Sequence, residues 1–462
     1  MRSWTPERVA QAAGARLVAP ARQAGGWVGP SRVTIDSREI VAGDLFVGLP
    51  GETHDGGRFA AQALAAGAWG VLVAPAHASA AEGSGVVLAA DDPLAALQSL
   101  ARAWRRELAA PVIAITGSTG KTSTKDILAA LLAPHRRTFV SRGNFNTEIG
   151  LPLELLAAPA GTEALVLEMG MRGAGQIREL AAIAEPDVGV IVNVGPAHLE
   201  LLGSVEAIAA AKAELIADLH ARATAVIPAR EPLLDPHRRA DIATVTFGPG
   251  GDVTLARQDP DGRVEVDAHG ERIALTLDFQ QAHLRGNLLA AVAAARAIGV
   301  TPGGAVTVSF SGRRGERMRL ANGVTVIDDC YNANPMSMRA ALDDLAATAG
   351  EGRSVAVLGD MLELGSEEAR FHAEIGGQAA ASGVDLLVAV GPRSRGMAEA
   401  FGDARELQVL ADAAQAATLV PKLVRAGDTV LVKASRGVGL EVVVAALAAD
   451  DGATAAAEEA AR

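Results

Sequence analysis

Gly117-Ser-Thr-Gly-Lys-Thr122 follows directly on the apolar run Pro111-Val-Ile-Ala-Ile-Thr116. A buried strand, a glycine-bearing turn and a helix opening near Lys121 gather backbone N–H groups and a helix N-terminus around one point, which suits an anion. Lys121 then brings a point charge to the outer phosphates of a nucleotide, and the Thr122 hydroxyl joins the coordination of Mg²⁺. Gly117, Ser118, Thr119, Gly120, Lys121, Thr122 and Ser123 form the candidate ATP-binding segment. The usual phosphate-loop spacing puts glycine at 115, where Ile115 stands, so the loop is a shortened variant. A plain strand-to-helix turn explains the glycines but not Gly-Lys-Thr after a buried strand. Kinases, GTPases and ligases all use such loops, so this one does not name a reaction.

Two further residues fall where open α/β sheets bind ligands. Glu168 ends the predicted strand Ala164-Leu-Val-Leu-Glu168, and His198 lies in the turn after the strand Val188-Gly-Val-Ile-Val-Asn193. A carboxylate and a neutral imidazole can share one metal ion, with Mg²⁺ taking further oxygens from Thr122, phosphate and water. Singly, Glu168 also reads as a capping or surface group and His198 as a packed loop histidine. Lys212, in the helical segment Val205-Glu-Ala-Ile-Ala-Ala-Ala-Lys-Ala-Glu-Leu215, reads by itself as a solvated helix lysine.

The elements that must position these residues follow a βα alternation. At 462 residues, 49% apolar and 21% charged, the chain is globular and long enough for about three domains. Residues 1–108 read as a small α/β unit, 109–315 as a central doubly wound parallel sheet with antiparallel hairpins over Val253 to Leu277, and 316–450 as a Rossmann-like sheet. Residues 451–462 read as a frayed or disordered tail. A net charge of −12 without a basic run excludes a nucleic-acid partner, and no stretch approaches the ~20 apolar residues of a membrane span. The single cysteine, Cys330, cannot close an internal disulfide, and the N-terminus lacks a signal-peptide core, so a cytoplasmic monomer is expected.

Several longer motifs resemble the Mur ligase family over almost the whole chain. They are Asp36-Ser-Arg38 with Gly43-Asp-Leu-Phe-Val47 and Asp55-Gly-Gly-Arg-Phe59, Gly143-Asn-Phe-Asn-Thr-Glu-Ile-Gly-Leu-Pro152, Glu168-Met-Gly170, Asn193-Val-Gly-Pro-Ala-His-Leu-Glu200 and Asp328-Asp-Cys-Tyr-Asn-Ala-Asn-Pro335. Gly359-Asp-Met-Leu-Glu-Leu-Gly365 with His372 is similar to the member that adds a dipeptide. The resemblance implies a three-domain α/β ligase that uses ATP and Mg²⁺, one or two ions, to join D-alanyl-D-alanine to UDP-N-acetylmuramoyl-tripeptide through an acyl phosphate. It implies that Lys121, Glu168, His198 and Lys212 are catalytic, with Thr122, Glu168, His198 and a carbamylated Lys212 as metal ligands. Asn287 then contacts adenine, Arg314 lies near the second domain junction, and Asp329 contacts ribose or phosphate. Ser37 and Arg38 belong to the domain that binds the uridine nucleotide. Asn144, Asn146 and Thr147, and on the third domain Tyr331, Asn332, Asn334, Ser435 and Arg436, bind the peptide substrates.

The chain departs from the family pattern at Thr147, where many relatives carry a second asparagine, at Ala434 in Lys433-Ala-Ser-Arg436, and at Leu440. Arg313, Arg317 and Arg319 crowd Arg314 and compete for its assignment. A sister ligase of the family, a folylpolyglutamate synthetase-like enzyme and a nucleotide-hydrolysing switch are the alternatives. The absence of an Asp-Asn-Pro-Arg run disfavours the sister that adds a diamino acid.

Overall fold

The computed structural model describes residues 1–19, 28–51, 53–81, 85–350, 352–403 and 405–449. The predicted tail, 451–462, lies outside them. Three sheets organise the chain, each mostly parallel and built from short runs of Val, Ile, Leu and Ala buried on both faces.

The first sheet has five strands in the order Arg16–Ala19, Val86–Ala89, Gly70–Val73, Asp44–Val47 and Arg32–Thr34, with only the first pair antiparallel. The helix Pro93–Leu108 leads out of it, capped at Asp92, whose carboxylate accepts the Leu94 and Ala95 N–H groups. This helix packs on the N-terminal helix Pro6–Ala13 and also on the central helices Gly150–Ala157 and Gln176–Ala184. Trp104 spans the two, with its ring edge against Trp4 at 5.6 Å and its indole N–H donating to the Ala158 carbonyl at 2.9 Å.

The central sheet has ten strands. At its heart Val112–Thr116 lies between Val188–Ile191 and Ala164–Glu168, all parallel, so their carboxyl ends open on the same side. Those ends deliver the loop at 117, Glu168 and the segment 193–198 to one place. Towards one edge the strands Val253–Gln258, Arg263–Ala268 and Glu271–Leu277 form the expected antiparallel hairpins, and Glu271–Leu277 alternates exposed and buried residues as a half-covered strand must. The helix Lys121–Leu132 packs on the Ala-rich helix Leu284–Ala297, whose small side chains allow close approach across the sheet face.

The third sheet has six strands in the order Glu316–Arg319, Thr325–Asp328, Thr429–Lys433, Ser354–Gly359, Leu386–Val390 and Glu406–Leu410. Glu316–Arg319 pairs antiparallel on the edge and was not foreseen, because all four of its side chains are exposed and give no apolar alternation. No helix among the described residues is long and apolar enough to cross a membrane.

Candidate active site

The phosphate loop is held in shape by one asparagine. The Asn193 side-chain oxygen accepts the N–H groups of Ser118 at 3.1 Å and Thr119 at 3.0 Å, and its amide donates to the Thr119 carbonyl and hydroxyl at 3.1 and 3.0 Å. The Ser118 hydroxyl is occupied too, donating to the Gly195 carbonyl and accepting the Gly195 N–H. The expected cradle is therefore narrower than the motif suggests. The N–H groups left for an anion are those at the start of the helix Lys121–Leu132, which have no partner within the helix. Gly120 caps that helix at φ 75°, and a Cβ there would stand 2.6 Å from the side-chain oxygen of buried Asn287, so both backbone and space demand glycine. Lys121 Nζ curls back to the Gly117 carbonyl at 2.8 Å, and burial lowers its proton affinity from the ordinary lysine value.

Glu168 is 3% exposed, and its two oxygens are divided between Thr122, expected beside it, and Asn146, expected only as a substrate contact. One accepts the Thr122 hydroxyl at 2.6 Å and the other the Asn146 amide at 2.9 Å. Ser141 fixes the same residue through its backbone, accepting the Glu168 N–H at 3.0 Å. Lys212 corrects its reading as a solvated lysine. It is 2% exposed on a helix, Val205–Ala217, that is rich in Ala and largely buried, and it has no hydrogen-bond or ion-pair partner among the described residues. Burial, and secondarily the charge of Lys121, push its ammonium well below the ordinary lysine value.

His198 does not join Thr122 and Glu168 in a ready-made cage, and no cluster of three or more His, Cys, Asp or Glu able to hold a metal occurs among the described residues. Its Nδ1 instead bonds the carboxylate of Glu363, which comes from the third domain and also pairs with Arg172. Burial lowers the imidazole pKa, opposed by Glu363. Neither Asn193 nor Glu363 was singled out from sequence, although both lie within the motifs quoted above.

The third domain closes the site from the other side. Asn334 is buried, caps the helix Pro335–Thr348 by accepting the Ser337 N–H at 2.9 Å, and donates across the domain boundary to the Ser118 carbonyl at 3.4 Å. Asp329 pairs with buried Lys433 at 2.7 Å, and burial raises its pKa against that pairing. Arg314 stacks over Tyr331 at 3.9 Å, with Arg436 at 5.7 Å from the same ring. Of the competing arginines, Arg314 alone acts electrostatically on both Lys121 and Asp329, while Arg317 is tied to Asp344 at 2.8 Å. Ser435 is buried, its hydroxyl accepting the Leu362 N–H at 3.0 Å and donating to the Ala333 carbonyl at 3.2 Å. Asn332 is exposed, and Asn144 and Thr147 lie on the exposed loop after Arg142. Ser37 and Arg38 sit on the turn after Arg32–Thr34, Arg38 folded onto Asp36 at 2.6 Å.

Comparison with known proteins gives these groups a context. The Mur ligase middle domain matches residues 115–295, the Mur ligase glutamate ligase domain residues 313–436, and the Mur ligase family catalytic domain residues 31–106. A UDP-N-acetylmuramoyl-tripeptide–D-alanyl-D-alanine ligase from Synechocystis sp. is 38% identical over 435 residues, covering 91% of this chain and 92% of that protein. The fold is similar to a crystal structure of MurF from Acinetobacter baumannii, with TM-score 0.85 and 30% identity over 96% of this chain and 99% of that one. It is also similar to MurF ligase from Thermotoga maritima in complex with ADP, with TM-score 0.78 and 30% identity over 92% and 98% of the two chains. With a loop, a buried carboxylate and a closing third domain arranged as described, and with this similarity along its length, the chain belongs to the Mur ligase family.

Proposed function

We infer that the chain is an ATP-dependent ligase that joins D-alanyl-D-alanine to UDP-N-acetylmuramoyl-tripeptide, giving the pentapeptide nucleotide used for peptidoglycan, ADP and phosphate. The observation that carries this is the buried Thr122–Glu168 pair at 2.6 Å beside Lys121, in a chain similar over 91% of its length to a ligase of that name. A cytoplasmic location fits its nucleotide substrates.

The tripeptide carboxylate is too poor an electrophile to acylate an amine, because oxide is not a leaving group. Attack of one carboxylate oxygen on the ATP γ-phosphorus expels ADP and makes an acyl phosphate. The dipeptide amine then adds to the carbonyl carbon, and the tetrahedral adduct collapses with loss of phosphate, which carries that oxygen away. Lys121 and the N–H groups opening the helix Lys121–Leu132 offset the charge on the transferring phosphoryl group. The Mg²⁺ ion fits the donors present, since Thr122 and Glu168 offer hard oxygens in contact and His198 keeps Nε2 free of any protein partner among the described residues. When bound, the ion neutralises phosphate charge. Burial that lowers the proton affinity of Lys212 favours the neutral amine that reaction with CO₂ requires, which supports its carbamylation into an anionic ligand.

Asn287 and Arg314 flank the loop as nucleotide contacts, with Asp329 delivered by the third domain. Ser37 and Arg38 are assigned to the uridine nucleotide, and Asn144, Asn146 and Thr147 to the peptide end of the acceptor. Tyr331, Asn332 and Arg436 form the dipeptide lip, while Asn334 and Ser435 act by holding backbone around it.

With ATP, Mg²⁺ and the UDP-muramoyl-tripeptide, phosphate release and pentapeptide mass should both require D-alanyl-D-alanine; dipeptide-independent release without product would select the hydrolytic switch instead. Asn193→Ala should weaken ADP binding about tenfold in calorimetry, because loss of a half-buried bonding partner costs ~1 kcal/mol or more, and unchanged affinity would show that the loop shapes itself. Lys212→Met should abolish turnover yet raise stability to urea at pH 7. The folded pKa is depressed, so between it and the ordinary lysine value the unfolded chain binds a proton that the native state resists; the gain should fade as pH rises towards 10. A destabilised variant would contradict the burial cost assigned to Lys212.

A further inference from the structure

The loop 359–365 of the third domain is braced from within its own domain. Fully buried His372 accepts the Met361 N–H at 3.0 Å through Nε2 and donates from Nδ1 to the Glu368 carbonyl at 2.8 Å. The Leu362 N–H reaches Ser435 Oγ at 3.0 Å, and Asp360 accepts the Ser394 N–H at 2.8 Å. So held, the loop extends Glu363 onto the central domain. One carboxylate oxygen bonds His198 and the other Arg172, while the Glu363 carbonyl accepts the Glu200 N–H at 3.1 Å. Gly365, at φ 58°, lies so near that a Cβ on it would stand 3.2 Å from the Glu200 Cα.

The backbone marks the same contact independently. Six non-glycine residues among those described have positive φ, and two of them, His198 at 61° and Glu363 at 62°, are bonded to each other across the domain boundary. Such conformations are unfavourable for residues with a side chain and persist where surrounding structure over-determines them. The Glu363 carbonyl is satisfied from the other domain by the Glu200 N–H, and the His198 carbonyl closes its own turn by accepting the N–H groups of Leu201 and Leu202.

We propose that Glu363 is a positioning residue through which the seated third domain orients His198, so that the central site is complete only when this latch is closed. The carboxylate engages Nδ1, which fixes the ring and leaves Nε2 as the nitrogen offered to the site. Arg172 holds the carboxylate's other oxygen and keeps it from rotating away. The assignment rests on the ligase reading for its catalytic meaning, but the latch itself is a property of the unliganded chain.

Glu363→Gln, which preserves shape, should lower kcat about 10–100-fold, the usual effect of losing a carboxylate behind a catalytic histidine, while KM for ATP stays within about twofold. In the full-length, ligand-free protein, Glu363→Ala should speed hydrogen exchange at the amides of 200–203 about tenfold, with exchange in the strand Val112–Thr116 unchanged. A kcat within twofold of the parent, unchanged exchange at 200–203, or a rise in ATP KM that parallels the fall in kcat would each overturn the proposal. A parent protein that makes no pentapeptide nucleotide in the same assay would instead refute the ligase reading, and the exchange result would still decide the latch.

Discussion

Everything in the site depends on charge held out of water at the carboxyl ends of the central strands. Lys212 and Glu168 are almost wholly buried, and Lys121 is close enough to both for its charge to act on each. Burial pushes Lys212 towards the neutral amine, so Lys121 and Glu168 are the charges that face each other here, and burial makes them expensive to leave unanswered. The phosphates of ATP bring negative charge to Lys121 and to the N–H groups that open its helix.

This constraint explains why three domains are needed. The central sheet brings Thr122, Glu168 and His198 to neighbouring strand ends, but its open face would admit water and weaken every interaction there. The third domain closes that face with polar contacts, Asn334 on the Ser118 carbonyl and Glu363 on His198 and Arg172. These directional contacts lie beside apolar packing that also crosses the boundary, where Met336 stands against Gly195. The first domain is fastened differently, through Trp104 and a helix shared with the central layer.

Sequence reveals these features unevenly, for physical reasons. The buried strands Val112–Thr116, Ala164–Glu168 and Ser354–Gly359 are continuous apolar runs and announce themselves, as do the hairpins whose burial alternates with the pleat. The short or edge strands Thr138–Val140, Glu316–Arg319 and Glu406–Leu410 carry no comparable pattern, because few of their side chains enter a core. Lys212 misleads because an alanine-rich helix has no distinct wet face against which to locate a lysine. Asn193 and Glu363 lie in recognisable motifs, yet their partners are 75 and 165 residues distant, and nothing local encodes such pairings. The phosphate loop itself is legible to the residue, but not how many of its N–H groups the protein keeps for itself.

The fate of one oxygen atom tests the chemistry assigned to this site most directly. If the buried charges serve to make an acyl phosphate, UDP-muramoyl-tripeptide labelled with ¹⁸O in its reacting carboxylate should pass one labelled oxygen to each phosphate released, read by mass spectrometry or by the ³¹P isotope shift. Phosphate that carries oxygen from solvent, with both labels remaining on the peptide, would mean that ATP is hydrolysed by water and would contradict the account.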